Sequence, residues 1–463
     1  MRTYYLRSFG CQMNAHDAER IRALLEERGL APVGEPDRAD LLVYNTCTVR
    51  KSAEDRLAGH LGTAARLKRE DPRRIVLVTG CLPQAEKDEL FRRFPFVDGA
   101  LGPQNLHHLG DLLDAAVEPA QAGGGAASSA QRPRGYFEDG AAMSGALEGR
   151  RQRPFQAWVQ IMSGCTNYCS YCIVPSVRGP ERSRSLAEVV AEVRHLVGDG
   201  VREVTLLGQN VNAYGRDLGP RAGGGDPRSA ASDVSGFPAL LRALDAVDGL
   251  DRVRFMTSHP KDLSDELVAA IAESPSVCEH VHLPAQAGSD RILAAMRRGY
   301  TAEWFLGRVR ALREAVPDVS ITTDLIAGFP GETEQEFAQT LDLVEAAAFD
   351  AAYTFVYSPR RGTAAADLPA QLSAEVKRER VQRLIAASQR LALKSRTSWV
   401  GRRAEVLVEG ASRDERLLRG RTRQNVTVNV SGPAEPGAIV DVEVTAATST
   451  TLQGTVVSST SRR

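Results

Sequence analysis

The chemistry available to this chain is concentrated in its cysteines. Residues 160–178 read QIMSGCTNYCSYCIVPSVR, which sets Cys165, Cys169 and Cys172 in the pattern C-x3-C-x2-C. Three thiolates this close on one loop can converge on a single soft metal centre, and they supply no fourth ligand. A 4Fe-4S cluster held by three thiolates keeps one iron open, as a cluster must if it is to do chemistry as well as carry electrons. The competing assignment is a zinc loop, which wants a fourth Cys or His nearby. The nearest histidine, His195, falls inside the helix expected next.

A second set of cysteines is dispersed in sequence. Cys11 in FGCQMN, Cys47 in NTCTVR and Cys81 in TGCLPQ each follow a short apolar run, at residues 3–8, 41–45 and 75–79. Helical patterns separate the runs. Residues 17–28 place Ala18, Ile21, Leu24 and Leu25 on one face, and 51–67 do the same with Ala53, Leu57 and Leu61. Alternating strand and helix predicts a parallel α/β sheet. In such a sheet the carboxyl ends of the strands share one edge, where ligands bind. The three cysteines would therefore meet at one place and form a second three-thiolate set. Three buried small hydrophobes are the alternative, but that does not explain why all three occupy the same topological slot. The seventh cysteine, Cys278, has no partner in the pattern and is read as structural. In a cytosolic chain, six patterned cysteines argue for metal or catalytic use over disulfides.

The elements that must position these loops follow from periodicity. Residues 119–153 are rich in Gly, Ala, Ser and Arg without a period and read as a flexible linker. Arg150, Arg151 and Arg153 in it read as a solvated charge run. From 154 to about 385, six strand candidates alternate with helices, at 157–162, 203–207, 253–257, 280–283, 320–326 and 352–357. Ser185-x-x-Glu188 and Thr333-x-x-Glu336 are capping boxes. Six βα units predict a partial barrel, open on one side to admit a macromolecule. Its chemistry belongs at the carboxyl ends of the strands. There lie the cysteine loop, Gly208-Gln209-Asn210, Ser258-His259-Pro260, residues 284–289, then Asp324 and residues 328–332, and finally 357–363. His259 reads equally as a satisfied loop histidine or a functional one. Residues 216–236 read as a surface insertion.

Residues 377–423 hold fourteen Lys/Arg against five Asp/Glu. A basic helix over 373–395 is followed by short alternating strands at 404–410, 425–430, 438–444 and 452–457. Small all-β units of this kind suit a five-strand barrel, a common nucleic-acid module. A basic lead-in fits phosphate contact, and a solvated helix beside a structural barrel is the alternative. Trp399 reads as a core residue, with stacking on a base as the alternative.

Bulk numbers agree with an ordinary globular chain. At 463 residues there is room for about three domains, and 43% apolar with 25% charged residues allows each a core. The expected boundaries are 1–118, a linker at 119–153, a core at 154–385 and a small barrel at 386–458. Formal net charge is zero, so no global field draws the protein to nucleic acid. No apolar run approaches the ~18 residues of a membrane span, and the N-terminus lacks the apolar stretch of a secretory signal. A cytoplasmic location is the resulting expectation.

GCTNYCSYC, with Tyr171 before the last cysteine, resembles the cluster loop of the radical S-adenosylmethionine (SAM) superfamily. The chain as a whole resembles the methylthiotransferase family over nearly all its length. GCQMN, NTC and GC are similar to that family's auxiliary-cluster domain. LLGQNVNAYG, TSHP, HLPAQAGSD, DLIAGFPGETE and YSPRRGT are similar to its barrel motifs. GRTRQN with its flanking strands resembles the TRAM RNA-binding domain. Ala285 and Ala287 stand where the family usually has Val and Ser, and Arg361 where it usually has Pro.

The resemblance implies two 4Fe-4S clusters and SAM as cofactors. Cys165, Cys169 and Cys172 would hold the cluster that cleaves SAM to a deoxyadenosyl radical. Cys11, Cys47 and Cys81 would hold the auxiliary cluster that carries the sulfur. Tyr171 would lie near the adenine of SAM, and Gly208, Gln209 and Asn210 near its amino group. Gln286, Ser289, Asp324 and Gly328 would line the same pocket. GCQMN points, within the family, to the branch that methylthiolates C2 of isopentenylated adenosine at position 37 of a tRNA anticodon loop. A sister activity on another modified adenosine or a ribosomal protein, and a non-catalytic iron–sulfur RNA-binding regulator, stay as alternatives. The implied partners are tRNA and an electron donor such as flavodoxin or ferredoxin. No membrane contact is expected, and the chain is expected to be a monomer.

Overall fold

The computed structural model describes residues 1–48, 51–121, 134–138, 151–218 and 236–459. It divides into two compact units. One comprises Met1–Gln152, Ser163–Thr166 and Cys172–Glu181; the other comprises Arg153–Met162, Asn167–Tyr171 and Arg182–Arg463.

The first unit is built on a six-stranded parallel sheet. Its strands are β1 (Thr3–Ser8), β2 (Ala31–Pro32), β3 (Leu41–Thr46), β4 (Ile75–Gly80), β5 (Gly99–Leu101) and β6 (Arg134–Tyr136), in the order β2-β1-β3-β4-β5-β6. The two central strands are buried at every residue, as parallel strands covered on both faces are. Opposite faces feed separate cores. Leu42, Tyr44, Val76 and Val78 pack on one side with the helix Lys51–Glu70, and Leu41, Val43, Ile75 and Leu77 on the other with Ile21 and Leu25. The helix expected at 17–28 starts earlier, at Gln12. Three strands were expected and six are present. The extra three are two or three residues long, too short to show a period. One of them, Arg134–Tyr136, lies inside the expected linker and pairs with Gly99–Leu101, and the helix Leu109–Gln121 also runs into it. Most of the linker, Arg150 included, and most of the expected insertion at 216–236 lie outside the described residues.

The second unit holds the six expected barrel strands. They are β7 (Gln156–Gln160), β8 (Glu203–Leu207), β9 (Arg252–Phe255), β10 (His280–His282), β11 (Ser320–Ala327) and β12 (Ala351–Val356). They form two parallel three-stranded sheets, β9-β8-β7 and β10-β11-β12. A single parallel bridge, Val253 with Val277, joins the halves. Alternation sorts the side chains. Val204, Leu206, Val253, Phe255, Val281, Ile321 and Leu325 form one core with the surrounding helices. The other face carries Glu203, Thr205, Arg252, Arg254, His280, His282, Thr322 and Asp324. Closed βα barrels fill that face with branched aliphatics; here it is polar. Both expected capping boxes are formed, at Ser185 with Glu188 and Thr333 with Glu336.

A 24-residue helix, Ala374–Thr397, follows the last barrel strand. The expected boundary at 385 falls inside it. Beyond it lies a closed five-strand barrel: β13 (Arg403–Ala411), β14 (Leu418–Thr422), β15 (Thr427–Ser431), β16 (Ile439–Ala447) and β17 (Thr451–Ser459). Trp399 packs in its core with Val406, Val428 and Val442. The strand Leu418–Thr422 was not expected. Its sequence, LRGRT, has no apolar alternation, and Gly420 is required because a Cβ there would lie 2.6 Å from the Leu407 carbonyl oxygen.

The basic stretch is largely spent on the fold. Arg380 pairs with Glu332, Arg383 with Glu334, Arg402 with Asp318 and Arg423 with Glu279. Glu409, 3% exposed at its side chain, faces Arg153, Arg419 and Arg421. Arg153 is therefore an ion-pair partner, not part of a solvated run.

Candidate functional site

In the first unit, Cys11, Cys47 and Cys81 follow β1, β3 and β4, three neighbouring strands, at the same edge of the sheet. Two glycines shape the turns. Gly10 has φ +142°, and a Cβ on it would sit 2.6 Å from the Cys47 Cβ. Gly80 has φ +100°, and a Cβ would sit 2.3 Å from the Thr46 carbonyl oxygen. Only glycine tolerates both the conformation and the approach. Asn14 of GCQMN and Asn45 of the NTC run tie the loops together. Asn14 Nδ2 donates to Asn45 Oδ1 at 3.2 Å and to the Thr46 carbonyl at 3.0 Å, while Asn45 Nδ2 donates to the Asn14 carbonyl at 2.8 Å.

The thiols there are electrostatically prepared. A hydrogen bond from Cys47 lowers the Cys11 thiol to about 6 against the opposing effect of burial, helped by Arg178 and by the backbone amides of Asn14 and Met13. Cys11 is also the N-cap of the helix Gln12–Glu27, where a thiolate is favoured. Burial pushes the Cys81 thiol up, and Arg178, hydrogen-bonded to it, pulls the other way. Sequence reasoning missed Arg178. It lies six residues beyond Cys172 and is 5% exposed.

The loop bearing the other three cysteines is shared between the units and is described in two parts. In the first unit, the Cys165 N–H donates to the Gly179 carbonyl at 3.1 Å. Gly164 before it has φ +80°, and a Cβ there would meet the Pro180 carbonyl at 1.9 Å. In the second unit, Ser170 is held by Met296 and Ala295, donating to their carbonyls at 3.1 and 2.7 Å. Arg298, 4% exposed, donates from Nη1 towards Cys169 Sγ and Tyr171 Oη, each at 3.5 Å, and from Nη2 to the Pro284 carbonyl at 2.7 Å. Arg298 also escaped the sequence reading; its only signal is the run MRRGY, which follows no ligand spacing.

The donor set suits iron–sulfur chemistry: two groups of three thiols, neither with a fourth protein ligand in pattern. Among the described residues no three His, Cys, Asp or Glu side chains are gathered as a single metal ion requires.

The barrel residues expected around SAM fall into two groups. Some have local structural work. Asn210 donates to Asp262 Oδ2 at 2.7 Å and accepts from the His259 N–H at 3.0 Å, so it fixes the TSHP loop. Ser289 caps the helix Asp290–Ala295 and donates to Glu336 at 3.4 Å. The Gly328 N–H donates to Glu332 Oε2 at 2.9 Å. Thr257 Oγ1 donates to the Gly208 carbonyl at 2.7 Å, and Met162 crowds the space a Gly208 side chain would need. Gln209 lies half-buried beside them. Asp324 faces His282 Nε2 at 3.4 Å. Others have unmet polar atoms. Gln286, at φ +70°, has a buried Oε1 with no hydrogen-bond partner among the described residues, and the same holds for Ser258 Oγ and His259 Nε2 on the same rim. Buried polar atoms in native proteins are seldom unpaired, so this rim offers hydrogen bonds to a ligand.

Cys278 is buried and free, and burial raises its thiol. Among the described residues no helix is long and apolar enough to cross a membrane.

The partial barrel and its cysteine loop define a radical SAM protein. The model of the Radical SAM superfamily matches residues 159–344, that of an uncharacterized protein family, UPF0004, residues 3–102, and that of the TRAM domain residues 398–457. The chain is 44% identical over 460 residues to the tRNA-2-methylthio-N(6)-dimethylallyladenosine synthase of Carboxydothermus hydrogenoformans, covering 98% of this chain and 99% of that one. It is 45% identical over 451 residues to the synthase of the same name from Mycobacterium ulcerans, covering 96% and 82%. It therefore belongs to the tRNA-2-methylthio-N(6)-dimethylallyladenosine synthase family. Among solved structures, the radical S-adenosylmethionine methyltransferase TsrM from Kitasatospora setae shares the fold, with a TM-score of 0.57 at 16% identity over 79% of this chain and 77% of that one.

Proposed function

We propose that this chain is a radical SAM methylthiotransferase that adds a methylthio group to C2 of N6-isopentenyladenosine at position 37 of tRNA. The observation that carries the reading is the placement of Cys11, Cys47 and Cys81 after three adjacent strands at one sheet edge, in a chain whose barrel carries a second three-cysteine loop. Cys165, Cys169 and Cys172 on the barrel loop would hold a 4Fe-4S cluster whose open iron would bind SAM, and Cys11, Cys47 and Cys81 at the sheet edge would hold one that would supply the sulfur to be inserted. An aromatic C–H is too inert for acid–base attack, which is why such an enzyme needs both.

The chain's own residues supply binding and orientation. Arg298 holds Cys169 and Tyr171 in register, while Asn14 and Asn45 lock two of the sheet-edge loops. Gln286, Ser258 and His259 present their unmet polar atoms to SAM, beside Gly208, Gln209, Asn210, Ser289, Asp324 and Gly328. The TRAM barrel and the helix that leads into it contact RNA through cations outside the internal ion pairs; Arg378 and Lys394 on the helix and Arg403 and Arg413 on the barrel are exposed and suit phosphate contact. The unpaired base of an anticodon loop can be splayed towards the barrel. A flavodoxin or ferredoxin as electron donor, a monomeric state and a cytoplasmic location complete the reading.

Two measurements test it. Nucleosides from tRNA of a deletion strain should lack 2-methylthio-adenosines, and an unchanged level overturns the substrate. Anaerobic reconstitution should give about eight irons, falling to about four when Cys165, Cys169 and Cys172 are replaced by Ala; about four falling to none overturns the second cluster.

A further inference from the structure

One buried cation has no part in the reaction as read above. Arg178 lies in the segment Cys172–Glu181, which packs within the first unit. Its Nη2 donates to Asp17 Oδ2 at 3.3 Å, and both side chains are 5% exposed or less. The same guanidinium hydrogen-bonds the Cys81 sulfur and faces Cys11. It thus stands between one buried carboxylate and two of the three sheet-edge thiols. Burying a guanidinium is costly unless anions compensate it, and here the anions are of two kinds.

The thiol side of this arrangement changes its charge with the redox state. An oxidised 4Fe-4S core with three thiolates carries one net negative charge, and one-electron reduction adds a second. A fixed cation in a low-dielectric pocket favours the more negative state, and a fixed anion disfavours it. Net charge and hydrogen bonds to the sulfurs are what set the potential of such clusters.

We infer that Arg178 is a positioning residue whose charge compensates the Cys11, Cys47 and Cys81 thiolate set and raises the reduction potential of the cluster they hold, with Asp17 opposing it. The inference rests on the proposed reading of those three cysteines. It also gives the segment just after Cys172 a second task, at the sulfur-carrying site.

The test uses the full-length chain with Cys165, Cys169 and Cys172 replaced by Ala, so that only the sheet-edge cluster remains. Iron is counted after anaerobic reconstitution, and the potential is read by paramagnetic resonance during titration with dithionite, which supplies the electron. Arg178→Gln should move the midpoint to a more negative value, and Asp17→Asn to a less negative one. Opposite shifts are what a merely structural role would not produce. Unchanged midpoints with the cluster retained, or shifts of the same sign, overturn the inference while leaving the cluster assignment standing. No iron in the parent protein sinks the cluster assignment itself. Where Arg178→Gln loads no cluster, Asp17→Asn decides, a less negative midpoint supporting the inference and an unchanged one overturning it. Loss of the cluster from both variants overturns it in favour of a packing role.

Discussion

Arg252 has no exposed surface, and its guanidinium donates to Glu405 Oε1 from Nη2 at 2.9 Å and from Nε at 3.2 Å. The pair joins the barrel strand Arg252–Phe255 to the first strand of the C-terminal barrel. Neighbouring arginines repeat the theme. Arg252 Nη1 reaches the Arg421 carbonyl at 3.0 Å, Arg254 reaches the Thr422 and Arg423 carbonyls at 2.7 Å, and Arg423 forks onto Glu279 at 2.8 Å. The TRAM barrel is thereby fastened across the amino-terminal ends of the barrel strands. Two arginines that would otherwise read as nucleic-acid contacts, Arg421 and Arg423, are part of the fastening.

Breaking that pair should be costly, because it leaves a fully buried guanidinium with only the more distant Glu203 carboxylate, at 3.7 Å. Glu405→Ala is expected to destabilise the chain by about 3 kcal/mol, read as a lower denaturant midpoint. Arg252→Ala should cost at least as much, since it also empties a fully buried volume. An unchanged midpoint in both would mean that the Arg254 and Arg423 contacts hold the two barrels without Arg252.

The two cysteine sets should separate by function. Cys169→Ala is expected to abolish 5′-deoxyadenosine formation from SAM under reductant. Cys47→Ala should retain that cleavage and yield no methylthiolated tRNA. Deoxyadenosine from the first variant, or methylthiolated product from the second, contradicts the corresponding assignment.

Much of this site was legible in sequence because its local rules are simple. A cysteine just after each apolar run marks a strand's carboxyl end, and the pattern held for Cys11, Cys47 and Cys81. The six barrel strands were legible because parallel strands read as apolar runs. What escaped detection is set by distant contacts. Arg178 meets Asp17 across 161 positions, and Arg298 meets Cys169 across 129, and no spacing rule reaches so far. The strand Leu418–Thr422 escaped for a different reason: Arg419 and Arg421 on it are drawn to the buried Glu409, so charge occupies positions where a barrel strand would show alternation. The charge of the basic stretch was visible, but its use in internal pairs was not.

Gly10 gives a prediction that tests the local geometry. An alanine there would take φ +142°, which side chains rarely adopt, and would place its Cβ 2.5 Å from Asn14 Oδ1. Asn14 is the residue that ties the Cys11 and Cys47 loops. Gly10→Ala should therefore halve the iron bound after reconstitution while leaving SAM cleavage intact. Full iron content in this variant would show that the Cys11 turn relaxes without cost to the sheet-edge site.

His259 gives the chain a pH dependence of definite sign. Its imidazole is buried, its Nδ1 accepts from the Lys261 N–H at 3.3 Å, and its Nε2 has no hydrogen-bond partner among the described residues. Burial, with Arg298, Lys261 and Arg216 around it, lowers its pKa from 6.5 to about 2. The folded chain therefore keeps this ring neutral where the unfolded chain protonates it. Stability from this residue is present above pH 6.5 and is lost as pH falls below it, by about 2 kcal/mol at pH 5. His259→Gln keeps a polar side chain at the position and removes the titration. Its denaturant midpoint should fall less than that of the native chain between pH 7.5 and pH 5. The comparison of slopes is unaffected by any constant cost of the substitution. Equal falls in the two proteins would mean that the ring takes up a proton in the folded state, and that the TSHP loop presents a cation, not a neutral N–H donor, at the rim of the barrel.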